Sequence, residues 1–257
     1  MRPFYHVLFL TIFGLISTKV SAQDPVSNDL TRALSGKITC LVAEKTNCFN
    51  SRYGKLSSNT FIIPAIAVTY GVIALNSPDL KKINQNILDD VRPNDRSKTF
   101  RIDNYLQYAP GAISLSMTAI GMKGQQNLRD ATLTYATINI ISTALVTPTK
   151  RLTHVLRPDS SDYLSFPSGH TAEAFANAEF LRMEYGNQYP WLAVAGYAMA
   201  ATTGYLRMYN NKHWFSDVLS GAAIGFCSAR LGGWIYAHIQ PKLFPVYKKR
   251  EGRRPRF

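Results

Sequence analysis

The chain has 257 residues, enough to bury a sizeable core in one large domain or in one large and one minor domain. A hydrophobic share of 46% with a mean hydropathy of −0.10 sets it apart in composition from conventional polytopic membrane proteins. The formal charge of +13, from 29 basic and 16 acidic residues, asks for an anionic partner such as a phosphorylated substrate or an acidic membrane surface; with no basic repeat interleaved with aromatics and no nucleic-acid module, nucleic acid is set aside.

The N-terminus reads as an export signal over residues 1–22. Arg2 supplies the positive start, residues 4–16 are almost wholly apolar, and Val20-Ser21-Ala22 places small residues at the −3 and −1 positions of a cleavage site. An uncleaved anchor helix is the alternative, and the lack of a following cysteine argues against a lipoprotein. Export into an oxidising compartment would let Cys40 and Cys48, with seven residues between them, close a short loop, whereas Cys227 in its apolar stretch reads as a buried thiol.

Residues 23–104 form an N-terminal region of helices and connecting segments. It holds an apolar stretch at 60–75, interrupted by Pro64, and a charged stretch at 77–104 punctuated by Pro78 and Pro93. Apolar segments recur at 105–122, 131–147, 171–183, 191–206 and 218–239, all of helical length and without alternating strand patterns. The expected fold is all-α, a bundle of five to seven helices, with a core at 105–240 and a basic tail at 241–257. A membrane span needs about 20 apolar residues. Two segments fall short of that, and Glu173, Glu179 and Arg230 suit helices that keep one face wet. Membrane association is expected. Spanning topology is left open, because a basic C-terminal tail favours the cytoplasm while the N-terminus signals export.

Three motifs carry the chemistry. Lys150-x6-Arg157-Pro158 follows one apolar segment, Pro167-Ser168-Gly169-His170 opens the next, and Arg207-x5-His213-x3-Asp217 joins the last two. Singly, each has a plain structural reading: a basic helix end, a serine-capped helix start, a polar loop. Jointly, two arginine forks, a lysine, and a glycine at a helix start are what a phosphoryl group needs for its spread negative charge.

In order and spacing these motifs resemble the signature of the PAP2 superfamily, which includes type 2 phosphatidic acid phosphatases, bacterial class A acid phosphatases and vanadium haloperoxidases. One residue departs from the pattern: Leu206 stands before the third-motif arginine, where the family usually has a small residue. The resemblance implies a helical phosphatase in which His213 is the nucleophile, Asp217 orients it and His170 is the general acid and base. It further implies that Lys150, Arg157, Ser168, Gly169 and Arg207 bind the phosphate. No cofactor, metal or protein partner is expected.

The expected substrate is a lipid-linked phosphate of the cell envelope, such as lipid A, phosphatidic acid, phosphatidylglycerol phosphate or an isoprenoid diphosphate, with the site facing the periplasm. A soluble periplasmic nonspecific acid phosphatase and a non-catalytic phospho-ligand-binding protein are the alternatives, and a haloperoxidase is disfavoured by the chain's size. Headgroup selection is assigned to loops 77–104 and 159–166. His154 reads as surface, His238 as a satisfied interface histidine, and Asp159 and Asp162 as solvated loop acids. Tyr105, Tyr108 and Pro110 read as core.

Overall fold

Eight α-helices and no strand make up the described residues of this computed structural model, which are 53, 56–92 and 99–244. The expected signal, Cys40 and Cys48, and the tail beyond residue 244 lie outside them. A 3-10 turn at Ser58–Phe61 leads into α1 (Ile62–Ala74). Next come α2 (Pro78–Val91), the one-turn α3 (Asp103–Leu106), α4 (Ala109–Ala119) and α5 (Leu128–Thr153). The last three are α6 (Gly169–Tyr185), α7 (Pro190–Tyr209) and α8 (Phe215–Leu243). The charged 77–104 stretch supplies α2 and α3, which raises the count above the apolar segments visible in the sequence.

Local chemistry sets the helix starts. Ser77 caps α2 ahead of Pro78, and Asn127 caps α5 by accepting from the Asp130 amide at 2.9 Å. Pro190 opens α7. At the start of α8, the Asp217 carboxylate reaches back to the Trp214 amide at 2.9 Å.

Helix α6 is the axis of the bundle, packed by α8, α7, α4 and α5. Phe175 and Phe180 are fully buried on it, each contributing roughly 1.5–3 kcal/mol by transfer from water. The expectation that this helix keeps one face wet is overturned, because the neighbouring helices enclose it. Glu179 is wholly buried and survives there by pairing. Both its oxygens accept from Arg182 at 2.6 Å, Tyr197 donates at 2.6 Å, and Arg230 lies 3.6 Å away. Glu184, equally buried, accepts from Tyr53 at 2.5 Å and from the Gln125 and Gln126 amides at 3.1 Å.

Two glycines of α8 let it approach the start of α6 closely. A Cβ at Gly221 would lie 2.4 Å from the Ser168 carbonyl oxygen, and one at Gly225 within 2.0 Å of that of Ala172. Any side chain there would push the α6 N-terminus out of place. The SGAAIG run thus brings the second and third motifs together.

Candidate active site

The loop after α5, the start of α6 and the α7–α8 connection converge on one end of the bundle. Backbone bonds lock them: Ser165 N donates to Val155 O at 3.0 Å, and Ser168 N to Asp217 O at 3.0 Å. The Trp214 indole donates to Leu156 O at 3.0 Å. The peptide bond before Pro167 is cis.

His213 is buried, with Nε2 3.5 Å from Arg157 Nη1. Burial first, and then the charges of Lys150, Arg207 and Arg157, hold its imidazole well below its ordinary pKa, so it is neutral at physiological pH. A neutral imidazole with its Nε2 lone pair beside a cationic pocket is the form a nucleophile needs. Asp217 is brought alongside but not into a hydrogen bond: its Oδ2 lies 3.6 Å from His213 Nδ1. That oxygen instead accepts from Ser165 Oγ at 2.5 Å and from the Trp214 amide. His213 Nδ1 and Asp217 Oδ1 are both buried without a partner. Burial raises the Asp217 carboxyl to about 6 against the lowering pull of its Ser165 and Trp214 bonds.

The cations surround this pair. Lys150 Nζ donates to Leu164 O at 2.6 Å, and its Cε is 3.7 Å from where a Cβ on Gly169 would sit, so it stands beside the α6 N-terminus. Burial, and next the neighbouring Arg157, lower its ammonium to about 8. Arg157 is braced by Asp162 at 2.7 Å and Lys212 by Asp159 at 2.5 Å. These two acids were expected to be solvated; they pair instead with cations at the mouth of the site. Ser168 is fully buried and its hydroxyl is engaged in capping α6, with Thr171 Oγ1 at 2.8 Å. Gly169 opens the helix at the anion-attracting end.

His170, half-buried, faces the group from α6. Burial and then Arg207 lower its pKa to about 4. Its Nε2 lies 3.0 Å from Asn104 Oδ1, and Arg207 Nη1 donates to Asp103 Oδ2 at 2.7 Å. These two contacts come from a segment that carries no recognisable motif, and the sequence reading missed them, as it missed Ser165. Tyr105 and Tyr108, expected in the core, are 78% and 50% exposed on the same segment, while Pro110 is buried. Turning α3 to face the site leaves its tyrosines outside. A cavity of about 320 Å³ opens against this segment, with Arg101, Arg207, Asn210 and Lys212 in its wall. His154 is exposed at the left-handed end of α5, and His238 stacks on Trp234 at 4.4 Å.

Comparison with family models matches residues 131–241 to the PAP2 superfamily, and the match takes in every one of the eight expected site residues. Over residues 131–241 the chain is similar to the PAP2 superfamily. Two curated relatives align over this region. A lipid A 1-phosphatase from Porphyromonas gingivalis is 43% identical over 136 residues, covering 52% of this chain and 31% of the relative. A lipid A 4'-phosphatase from Bacteroides thetaiotaomicron is 31% identical over 96 residues, covering 37% of this chain and 40% of the relative. The chain therefore spans about a third and two fifths of those relatives' lengths. Among solved structures, the crystal structure of the first transmembrane PAP2 type phosphatidylglycerolphosphate phosphatase from Bacillus subtilis aligns over 94% of this chain and 96% of its own. Its identity is 14% and its TM-score 0.36, too loose a likeness to argue from.

Proposed function

We propose that this protein is a phosphatase of the cell envelope that removes phosphate from a lipid. The observation that carries the reading is the neutral, buried His213, its Nε2 beside Arg157 in a cluster with Lys150, Arg207 and His170. In the proposed reaction His213 Nε2 attacks phosphorus, the P–O ester bond breaks, and His170 gives its proton to the leaving alkoxide. The phosphohistidine then yields to water, from which His170 takes a proton back, and phosphate leaves. Lys150, Arg157, Arg207 and the Gly169 amide hold the equatorial oxygens, with Ser168 supporting that amide through its cap. Asp217 supports the His213 imidazole; closing the 3.6 Å gap between Nδ1 and Oδ2 would give the unpartnered Nδ1 its acceptor.

Lipid A phosphate is the first candidate substrate, on the strength of the two named relatives, ahead of glycerophospholipid phosphates and isoprenoid diphosphates. Membrane association is supported by exposed aliphatic side chains, including Ile66 and Ile73 on α1, Ile140 and Leu152 on α5 and Val194 on α7. Among the described residues Phe215–Leu243 is one helix long and apolar enough to cross a membrane, and Ser58–Ala74 with Pro78–Val91 meet that test together across a 102° bend. The export signal read in the sequence supports a site facing the periplasm. Phosphate release from a panel of envelope lipids and soluble monoesters, with and without detergent, tests the assignment. Turnover confined to soluble monoesters would turn it into a nonspecific acid phosphatase.

Two expected results follow from the donor set. Activity should survive EDTA and be blocked by vanadate, since the anion is held by arginine, lysine and backbone donors; inhibition by EDTA that added metal reverses would contradict this. A pH series should also show kcat/KM falling as pH rises through about 8, where Lys150 loses its charge in the free protein. Bound phosphate stabilises the ammonium, so kcat should keep its value to higher pH, and Lys150→Arg should remove the limb from kcat/KM.

A further inference from the structure

Residues 99–108 cross the site as a strap held at both ends. At one end Asn210 Oδ1 accepts from Phe100 N at 3.0 Å, its Nδ2 donates to Phe100 O at 2.7 Å, and the Phe100 ring leans on Tyr209 at 5.7 Å. At the other, Asn177 of α6 donates to Gln107 O at 2.8 Å. Between these anchors, two consecutive side chains grip residues from two different motifs. Asp103 takes Arg207 Nη1 and Asn104 meets His170 Nε2.

The Asp103–Arg207 pair is buried on both sides, Asp103 being 1% and Arg207 8% exposed, while Arg207 Nε is buried with no partner. A carboxylate in a pocket built for an anion is unfavourable by charge alone. Its position gives it a different use. A guanidinium is a rigid planar fork, so fixing Nη1 fixes the direction of the remaining Nε edge. The partnerless Nε marks that edge as the one left for phosphate. Arg207 also lines the cavity of about 320 Å³ against the strap, so the residue borders open space although Nε itself is buried.

We propose that the strap is part of the catalytic apparatus, with Asp103 as a positioning residue that aims Arg207 at the phosphate and Asn104 as a positioning residue for His170. The proposal rests on the phosphatase reading for its catalytic consequences, but its first test does not need turnover.

Binding of inorganic phosphate and of vanadate to the full chain in detergent is measured by calorimetry. Coulomb's law alone says that removing the Asp103 charge should tighten anion binding. Positioning says the reverse: Asp103→Ala should weaken it about 10- to 100-fold, the scale of one charge-assisted hydrogen bond. Asp103→Asn, which keeps an acceptor oxygen in nearly the same shape, should fall between. Tighter or unchanged binding in Asp103→Asn overturns the role of Asp103, and this near-isosteric variant decides the matter if Asp103→Ala does not fold. A parent protein that binds vanadate yet releases no phosphate from any substrate would sink the phosphatase reading and leave the Asp103 comparison standing. A parent that binds neither anion would sink both.

For Asn104 the readout is the ratio of alkyl- to aryl-phosphate turnover. Asn104→Ala should lower this ratio several-fold, because an alkoxide depends on a well-placed proton donor and a stabilised phenolate does not. An unchanged ratio removes Asn104 from the assignment.

Discussion

Phosphate release is expected to fall by roughly 10⁴-fold or more when His213 is replaced by alanine, whatever the substrate, because the reaction loses its nucleophile. Binding of inorganic phosphate should change little. His213 is neutral in the folded protein, so its loss removes no positive charge, and Lys150, Arg157 and Arg207 stay in place. The same feature provides a folding control. Because its folded pKa lies below its ordinary 6.5, the unfolded chain binds a proton there that the native state refuses. This group therefore makes stability rise with pH until about 6.5 and level off above it. Asp217, raised from 3.8 to about 6, works in the opposite direction, favouring the fold at low pH and losing that contribution as pH rises through 3.8 to 6. His213→Ala removes one rising contribution and leaves the falling one of Asp217 set against that of His170, which is also lowered, so melting temperature should rise less from pH 4 to 6 than in the parent. Acid- and alkali-quenched protein should carry no phosphoryl label. Alkali-stable label in His213→Ala would place the nucleophile elsewhere.

The parts of the site legible in the sequence are those that one motif can encode locally. Lys150 and Arg157 flank one helix end, Gly169 and His170 share a first helical turn, and His213 and Asp217 stand four apart across a helix start. Their residue types suit phosphate chemistry, and their order and spacing, which resemble the PAP2 signature, group them as one candidate site. Asp103 and Asn104 could not be found that way. They lie 104 and 66 residues from their partners, on a segment whose placement depends on Asn210 and Asn177 hydrogen bonds to backbone. Ser165 was hidden for a related reason, since a serine two residues before a proline signals a turn and says nothing of a carboxylate on another helix.

The all-α class was legible from segment length and the absence of alternation. Burial of α6 was not. Glu173 and Glu179 suggested a wet face, and only the positions of Arg182, Arg230 and Tyr197 explain how Glu179 can be enclosed. Hydrophobic periodicity reads one helix at a time, whereas a buried ion pair is a property of three.

His170→Ala should divide substrates by what leaves. An alkyl phosphate, including a lipid phosphate, departs as a poor, high-pKa alkoxide, so its turnover should drop by the ~10²–10⁴-fold typical of general acid catalysis. p-Nitrophenyl phosphate leaves as a stabilised phenolate, and its first step should suffer far less. Burial and the charges of Arg207, Arg157 and Lys150 hold His170 near 4. It is therefore neutral at pH 7 and cannot give up a proton as it stands. A phosphate dianion offsets those charges and should lift its pKa, so the acid is armed by substrate binding, and addition of inorganic phosphate should move the His170 imidazole titration upward in nuclear magnetic resonance spectra. The variant also lacks the base that activates water for the second step. With the aryl substrate the phosphohistidine should therefore accumulate, giving a burst of nitrophenolate followed by slow turnover. Label should survive alkaline quench and be lost in acid, as a phosphoramidate requires. Equal losses for the two leaving groups in the first step, or a burst without alkali-stable label, would show that His170 does not serve both steps.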